Sequence, residues 1–327
     1  MTAPIVTVIL PVYNGNQHLK KAVESIQKQS YKNWELLIIN DGSKDNTLET
    51  CQKIVNCDKR IKLINNPKNL GLVKSLNIGI KLAKGKYIAR QDADDISLPN
   101  RIEKQVKFLD NHQEYGLVCS IFMVVKKDGS VIKITALPIN DYEIKLSMLF
   151  FNPITHGAVM LRKQVLEDFH LHYEENDLHC EDYGLWIKMS AHTKFKILTE
   201  PLYQWTISKN GITALHLPLM EKKRAELAKT LINKLDLDKL KKLTKKYQNS
   251  TWQYKKVNYI IDYCLMYQKL LLNLAQLSFS QHAYKSAIQL FVYSFRMNPC
   301  NYFKKILSKF KNSNLDKMPL NKLISKI

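Results

Sequence analysis

The stretch Gly85-Lys86-Tyr87-Ile88-Ala89-Arg90-Gln91-Asp92-Ala93-Asp94-Asp95 decides the fold. A short β-branched and aromatic run that ends in an acidic turn reads as a buried strand delivering polar residues beyond its carboxyl end. The same pattern occurs twice more upstream. Ile5–Leu10 runs into Pro11-Val12-Tyr13-Asn14-Gly15, and Glu35–Ile39 runs into Asn40-Asp41-Gly42-Ser43. With Ile61–Ile64 and Leu117–Val125, these segments are the predicted strands. Between them Gln17–Gln29, Asn46–Asn56, Leu72–Ala83 and Pro99–Asn111 carry apolar residues at helical spacing, and Ser97 ahead of Pro99 is the expected cap of the last. Strands alternating with helices predict an α/β chain, Rossmann-like, with a mostly parallel central sheet and helices on both faces. The three polar strand ends should converge on one edge.

Beyond Gly116 the order turns irregular. The sequence predicts a hairpin at Asp128-Gly129, a short helix near Asp141–Leu149, a strand around Ala158–Leu161 and a helix opening at Glu181-Asp182. From Leu219 onward the segments read as helices with Lys-rich turns, and His282–Pro299 resembles one helical-repeat hairpin. The predicted division is therefore 1–214, an α/β domain, and 215–327, an all-α basic extension.

The 327 residues suit about two domains at ~150 residues each, and 45% hydrophobic content excludes a disordered chain. Lys and Arg total 50 against 29 Asp and Glu, for a net charge of +21. From Leu215 on there are 22 basic and 6 acidic residues, so +16 of the +21 lies in that third. Nucleic acid, anionic lipid or a phosphorylated substrate would each answer such a charge. Tyr and Phe in that region sit at core-like helical spacing rather than as stacking platforms, which makes nucleic acid unlikely and an anionic membrane surface the better partner. A solvated basic face accounts for the same charge. The six cysteines form no C-x-x-C pair, and buried free thiols in a reducing cytosol are the expectation. No leader is expected, because Ile5–Val12 is short and ends in a polar turn. The apolar stretch Tyr259–Phe279 is broken by Asp262, Gln268, Lys269 and Gln276, short of the ~20 residues that a span needs. A cytoplasmic protein, peripheral on a membrane at most, is expected.

Three aspartates within four residues repel one another unless a cation or hydrogen-bond donors neutralise them. Oxygen-only ligation suits Mg²⁺ or Mn²⁺, which can also hold a diphosphate; a solvated Asp-rich turn explains the string equally. Asp41 could accept from a base N–H or a ribose hydroxyl, or serve only a turn, and Tyr13 could pack on a ring. Glu181-Asp182 offers a general base, or simply first-turn charge at a helix start. His156 beside Gly157 could reach a ligand or be a hydrogen-bonded structural residue.

Taken in order, Val8-Ile9-Leu10-Pro11-Val12-Tyr13-Asn14-Gly15, Asn40-Asp41-Gly42-Ser43, Asn69-Leu70-Gly71, Gly85 through Asp95, His156-Gly157 and Glu181-Asp182-Tyr183-Gly184-Leu185-Trp186 resemble a family 2 glycosyltransferase of GT-A fold across residues 5–213. The resemblance implies that Pro11, Tyr13 and Asp41 line a nucleoside pocket. It makes Asp92-Ala93-Asp94 the D-x-D motif, with Asp92 toward ribose or base and Asp94 the metal ligand, Asp92 assisting and Asp95 a weaker candidate. Glu181 and His156 would adjoin the nucleotide sugar, and Asp182 would be the base that deprotonates the acceptor hydroxyl. The implied reaction is inverting and metal-dependent (Mn²⁺ or Mg²⁺). It moves sugar from a nucleotide sugar, UDP-sugar first, to a saccharide or lipid-linked acceptor in surface polysaccharide synthesis. Two departures stand out. Leu76 precedes Asn77 where many members carry Arg, with Lys74 and Arg90 near in sequence, and Thr206 and Ser208 occupy flap positions that often hold Arg and His, with Lys209 nearby. A sugar-phosphate nucleotidyltransferase shares such a strand-end acidic site, but no Gly-rich, Lys-bearing phosphate loop follows the first strand. An inactive core serving as a basic binding module is the remaining alternative.

Overall fold

The computed structural model describes residues 5–148, 151–207 and 212–232, all within one compact unit, Met1–Leu235. The expected helices beyond position 232, including the 282–299 hairpin, lie outside the described residues.

Four parallel strands form the first half of the sheet: β1 (Val6–Val12), β2 (Trp34–Asn40), β3 (Ile61–Asn65) and β4 (Tyr87–Arg90). α1 (Asn16–Gln27), α2 (Thr47–Cys57) and α3 (Leu72–Leu82) connect them. β5 (Ile96–Ser97) and α4 (Arg101–Asn111) follow, then β6 (Tyr115–Val125), β7 (Val131–Ile134), α5 (Asp141–Ser147), β8 (Met160–Arg162), α6 (Lys163–Asp168), α7 (Glu181–Met189), β9 (Lys194–Thr206) and α8 (Ile212–Ile232). The nine strands run β3-β2-β1-β4-β8-β6-β9-β5, with β7 on β6; β8 is antiparallel to β4 and β6, and β6 is parallel to β9. Consequently β1, β2, β4, β6 and β9 all end on one edge, as the strand-end motifs predict.

Both faces are covered because the buried strands alternate large apolar side chains. Val6, Val8, Leu10 and Val12 meet Leu19, Val23 and Ile26 of α1 and Ile102, Val106 and Leu109 of α4. Ile9, Ile39 and Ile88 face the other way, into a core with Val73 and Leu76 of α3 and Tyr183 and Trp186 of α7. Leu76 is therefore a core residue. Among the described residues no helix is long and apolar enough to cross a membrane. Cys51, Cys119 and Cys180 are buried free thiols as expected, whereas Cys57 is exposed.

One sequence expectation is corrected, and one strand is added. Ser97 does not cap α4. It sits in β5, paired with Tyr203, and its hydroxyl donates to Gln91 Oε1 (2.6 Å). Asn100 occupies the cap position without a side-chain bond. The thirteen-residue β9 was not anticipated, since Pro201 interrupts its pattern. The ladder tolerates that proline at the register shift where Ile121 pairs with it.

Behind the acidic turn lies a fully buried Arg101. Its Nη2 donates to the Arg90 (2.7 Å) and Val159 (3.0 Å) carbonyls, its Nη1 to Ser97 Oγ (2.7 Å) and Gln91 Oε1 (3.2 Å), and its Nε to Gln105 Oε1 (3.3 Å). Gln91 passes this order on by donating to the carbonyls of Asp92 (3.0 Å) and Asp95 (2.9 Å). Burial pushes the guanidinium pKa down to about 10, so it stays charged at neutral pH. Removing such a group strands buried carbonyls without donors. Arg101→Met is expected to lower unfolding free energy by about 3 kcal/mol or more, read as a fall in the urea midpoint, and an unchanged midpoint would show that the acidic turn holds itself.

Candidate active site

The loops after β1 and β2 are tied together. Asn14 N–H donates to Ser43 Oγ (3.0 Å), and Lys44 N–H donates to Asn14 Oδ1 (2.9 Å). Pro11 is buried at the end of β1, while Tyr13 beside it is exposed with its ring free to meet a flat ligand. Asp41 is buried and already employed: Oδ1 accepts from Asn66 Nδ2 (2.8 Å) and Leu70 N–H (2.9 Å), and Oδ2 from Gly71 N–H (2.8 Å). It fastens the 66–71 loop against the strand edge. Oδ2 keeps lone-pair capacity beyond that single bond.

The acidic turn separates its three aspartates by role. Asp92 Oδ1 accepts from Arg90 Nη2 (2.7 Å), and its N–H donates to Tyr203 Oη (3.2 Å). Asp94 is exposed, and crowding by protein together with the Asp92 charge pushes its pKa up. Asp95 is buried and accepts from Thr206 N–H (2.8 Å), so it anchors the end of β9 rather than facing solvent. Ala93 packs beside Gly15, which brings this turn against the loop after β1. Among the described residues no three His, Cys, Asp or Glu side chains are grouped to hold a metal by themselves.

Opposite stand Glu181 and Asp182 in the first turn of α7. Asp182 Oδ2 accepts from Asn152 Nδ2 (2.8 Å), and Oδ1 from Tyr183 N–H (2.7 Å). Burial raises both carboxyls well above the ordinary range; the Asp182 charge raises Glu181 further, and Asp92 adds to the rise of Asp182. Arg90 works in the other direction on both. Its guanidinium is buried, and its Nε and Nη1 have no hydrogen-bond partner among the described residues. Among the described residues it is thus the cation shared by the acidic turn and the Glu181-Asp182 pair. Lys74, by contrast, lies at the surface in an ion pair with Glu175 (3.2 Å).

His156 shares a hydrogen bond between Nε2 and Tyr173 Oη (2.9 Å) and meets Trp186 edge-on. Burial, and next the Arg90 charge, hold its pKa well below the usual value, so the ring is neutral. Asn77 fixes Tyr173 by a two-way bond with its backbone (2.8 and 3.0 Å). Gly157 fills the space between Asp92 Oδ2 and the Tyr203 hydroxyl, where a Cβ would collide with both. The structure therefore gathers Asp92, His156, Glu181 and Asp182 around Arg90, sets Asp94 at the open side, and places Tyr13 and Asp41 on adjoining loops. Sequence reasoning missed Arg101, Tyr203, Tyr173 and Asn152. Only Arg101 carried a signal, as a charged residue at a position where the helical spacing calls for an apolar one.

A carboxyl with a raised native pKa holds its proton more tightly when folded, so its contribution to stability is complete below the unfolded value and is lost as pH rises through the native one. Glu181→Gln should therefore stabilise the chain by about 1 kcal/mol at pH 8, with the advantage vanishing near pH 4. A denaturant midpoint at pH 8 no higher than that of the parent contradicts this. Gly157→Ala should displace Asp92 or Tyr203 and cost about 1–3 kcal/mol, measurable by thermal unfolding; a neutral effect would mean that the contact is loose.

The family model described as glycosyl transferase family 2 matches residues 7–169. An uncharacterised glycosyltransferase of Haemophilus influenzae is 35% identical over 221 residues, covering 65% of this chain and 68% of its own. The S. aureus TarS 1–349 structure in complex with UDP superposes with a TM-score of 0.54 at 20% identity, over 68% of this chain and just under two thirds (64%) of that one. The mannosyltransferase PcManGT from Pyrobaculum calidifontis in complex with GDP-Man and Mn²⁺ gives a TM-score of 0.52 at 15% identity, over 94% and 85%. At those identities the two structures speak for the fold alone, and it is the GT-A fold. With a sequence relative this similar over more than two thirds of its length, and the family's motifs in order along one sheet edge, the chain belongs to glycosyl transferase family 2, a family of transferase enzymes.

Proposed function

We propose that the site moves a sugar from a nucleotide sugar, most readily a UDP-sugar, to a hydroxyl of a saccharide or lipid-linked acceptor. The anomeric carbon is inverted, and the product serves a cell-surface polysaccharide or glycolipid. The observation that carries this reading is Asp182: a carboxylate oriented by Asn152 and the Tyr183 N–H, partly open to solvent, and within electrostatic reach of Asp92 across the site. A sugar hydroxyl is a poor nucleophile, and a positioned carboxylate base contributes ~10²- to 10⁴-fold. One base facing one leaving group is the arrangement for a single in-line displacement, hence inversion. UDP in the TarS complex and GDP-Man in PcManGT are consistent with a nucleoside diphosphate as the leaving group here.

The donor set fits a hard divalent cation. Asp94 is solvent-open, and its carboxyl is raised by crowding and by Asp92, a surplus of negative charge that Mn²⁺ or Mg²⁺ would relieve. One or two carboxylates, with phosphate oxygens and water completing the shell, is how such ions bind in nucleotide sites. Asp94 would hold the ion, with Asp92 beside it. When bound, it supplies charge neutralisation to the departing diphosphate. Asp92 itself is held by Arg90, and Tyr13 and Asp41 face the nucleoside.

Purified protein with Mn²⁺ and a panel of UDP- and GDP-sugars should release nucleoside diphosphate slowly without acceptor. Asp94→Ala should abolish the release, and unchanged turnover would move the metal elsewhere. Release of pyrophosphate from a nucleoside triphosphate would instead favour nucleotidyl transfer. Asp182→Asn should keep nucleotide affinity within about twofold and lose at least ~10²-fold in transfer. Because the base must be ionised and its pKa is raised, kcat/KM should fall on acidification with an inflection above the ordinary Asp value of ~3.9. A profile flat down to pH 5 would contradict the assignment.

A further inference from the structure

The strand edge that carries the site also carries a feature that sugar transfer does not explain. β6 ends at Val125 on that edge, and the chain turns through Lys126–Ser130 into β7. The turn is closed by Lys126 N–H to Ser130 O (3.0 Å) and Gly129 N–H to Lys126 O (2.9 Å), with Gly129 at φ +86°. All four residues of β7 are exposed, with Val131, Ile132 and Ile134 at 53%, 48% and 55%. The ladder sets Ile134 level with the partly exposed Met123 and Lys133 level with Val124, and a register shift then brings Val131 opposite Val125, so Val131 and Ile134 share one face, Lys133 takes the other and Ile132 sits at the bulge. Ile207, also exposed, continues the apolar rim where its N–H bonds the Val125 carbonyl (2.9 Å).

The charge on this tip is one-sided. Lys126, Lys127 and Lys133 are exposed, and none has an ion pair among the described residues. The single acid, Asp128, spends Oδ1 on Ser130 N–H (2.8 Å) and Oγ (2.6 Å). Lysines alone on an edge strand would be ordinary protection against strand pairing. They do not account for three open β-branched side chains between them. Apolar residues that can enter an acyl layer, flanked by cations that can stay at headgroup level, fit an anionic bilayer.

We propose that the Lys126–Ile134 hairpin docks the catalytic edge of the sheet on an anionic membrane, so that the acceptor is lipid-linked and reaches Asp182 from the bilayer side. The acceptor half of this inference rests on the sugar-transfer reading; the docking half does not. The rim tilts the edge toward the surface through β6 and β9, whose ends are tied to the acidic turn by the Asp95–Thr206 bond.

The test uses the full chain and vesicles of phosphatidylcholine with phosphatidylglycerol, and reads the hairpin itself, because the +16 charge from Leu215 on is a separate candidate for vesicle attraction. Ile132→Trp adds a fifth tryptophan to the four present. Its added emission should shift to the blue and fall at least twofold when the phosphatidylcholine acyl chains are brominated. Ile132→Ser with Ile134→Ser should weaken vesicle partitioning about tenfold while leaving acceptor-free hydrolysis of the nucleotide sugar unchanged. Added emission that stays unquenched, or partitioning unaltered by the double substitution, overturns the proposal and leaves a protein partner as the occupant of the tip. Failure of hydrolysis in the parent chain would instead strike the sugar-transfer reading, with the quenching result standing on its own.

Discussion

The site depends on the burial of one guanidinium in the wall behind it. Arg101 has no water to turn to, so each of its N–H groups must be met by protein, and the partners that meet it are the end of β4, Val159 just before β8, Ser97 of β5, Gln91 and Gln105. A buried charge without such partners would be expensive. The positions of those carbonyls are therefore narrowly fixed, and through Gln91 so is the backbone of the acidic turn. The aspartates are held from behind, which leaves their carboxyl groups free to point in different directions.

In front of that wall the charge balance is deliberately incomplete. Arg90 faces Asp92 directly and tempers Glu181 and Asp182 at a distance, yet this single guanidinium cannot offset Asp92, Asp94, Glu181 and Asp182 together. Burial first, and the unmatched negative charge after it, leave the carboxyl pKa values raised at Asp94, Glu181 and Asp182. Such stress is a common property of functional sites. It is destabilising in the empty protein and favours a partner that brings positive charge to Asp94 or a proton to Asp182. Transfer from a hydroxyl to a carboxylate does the second.

Most of the architecture was legible because the parallel half has strong, short, local signals: β-branched runs closed by polar turns, with helical periodicity between them. The strand-end residues were readable for the same reason, since a parallel strand has one functional end. What escaped is non-local. β9 pairs with β6 and β5 across long sequence separations and contains a proline that only a register shift accommodates. Ser97 looks like a helix cap in sequence, but Gln91 and Arg101 claim its hydroxyl. Asp95 resembles its neighbours in sequence and differs from them only because Thr206 is there to bind it. The basic extension could be read for charge and helical spacing, and most of it lies outside the described residues.

The account turns on Asp182 acting alone as base opposite the leaving group, and stereochemistry tests that most directly. Proton NMR of the glycoside formed from an α-configured nucleotide sugar and a hydroxyl acceptor should show a β-linked anomeric proton. An α-linked product would mean that a second nucleophile intervenes, and the assignment of the site would fail.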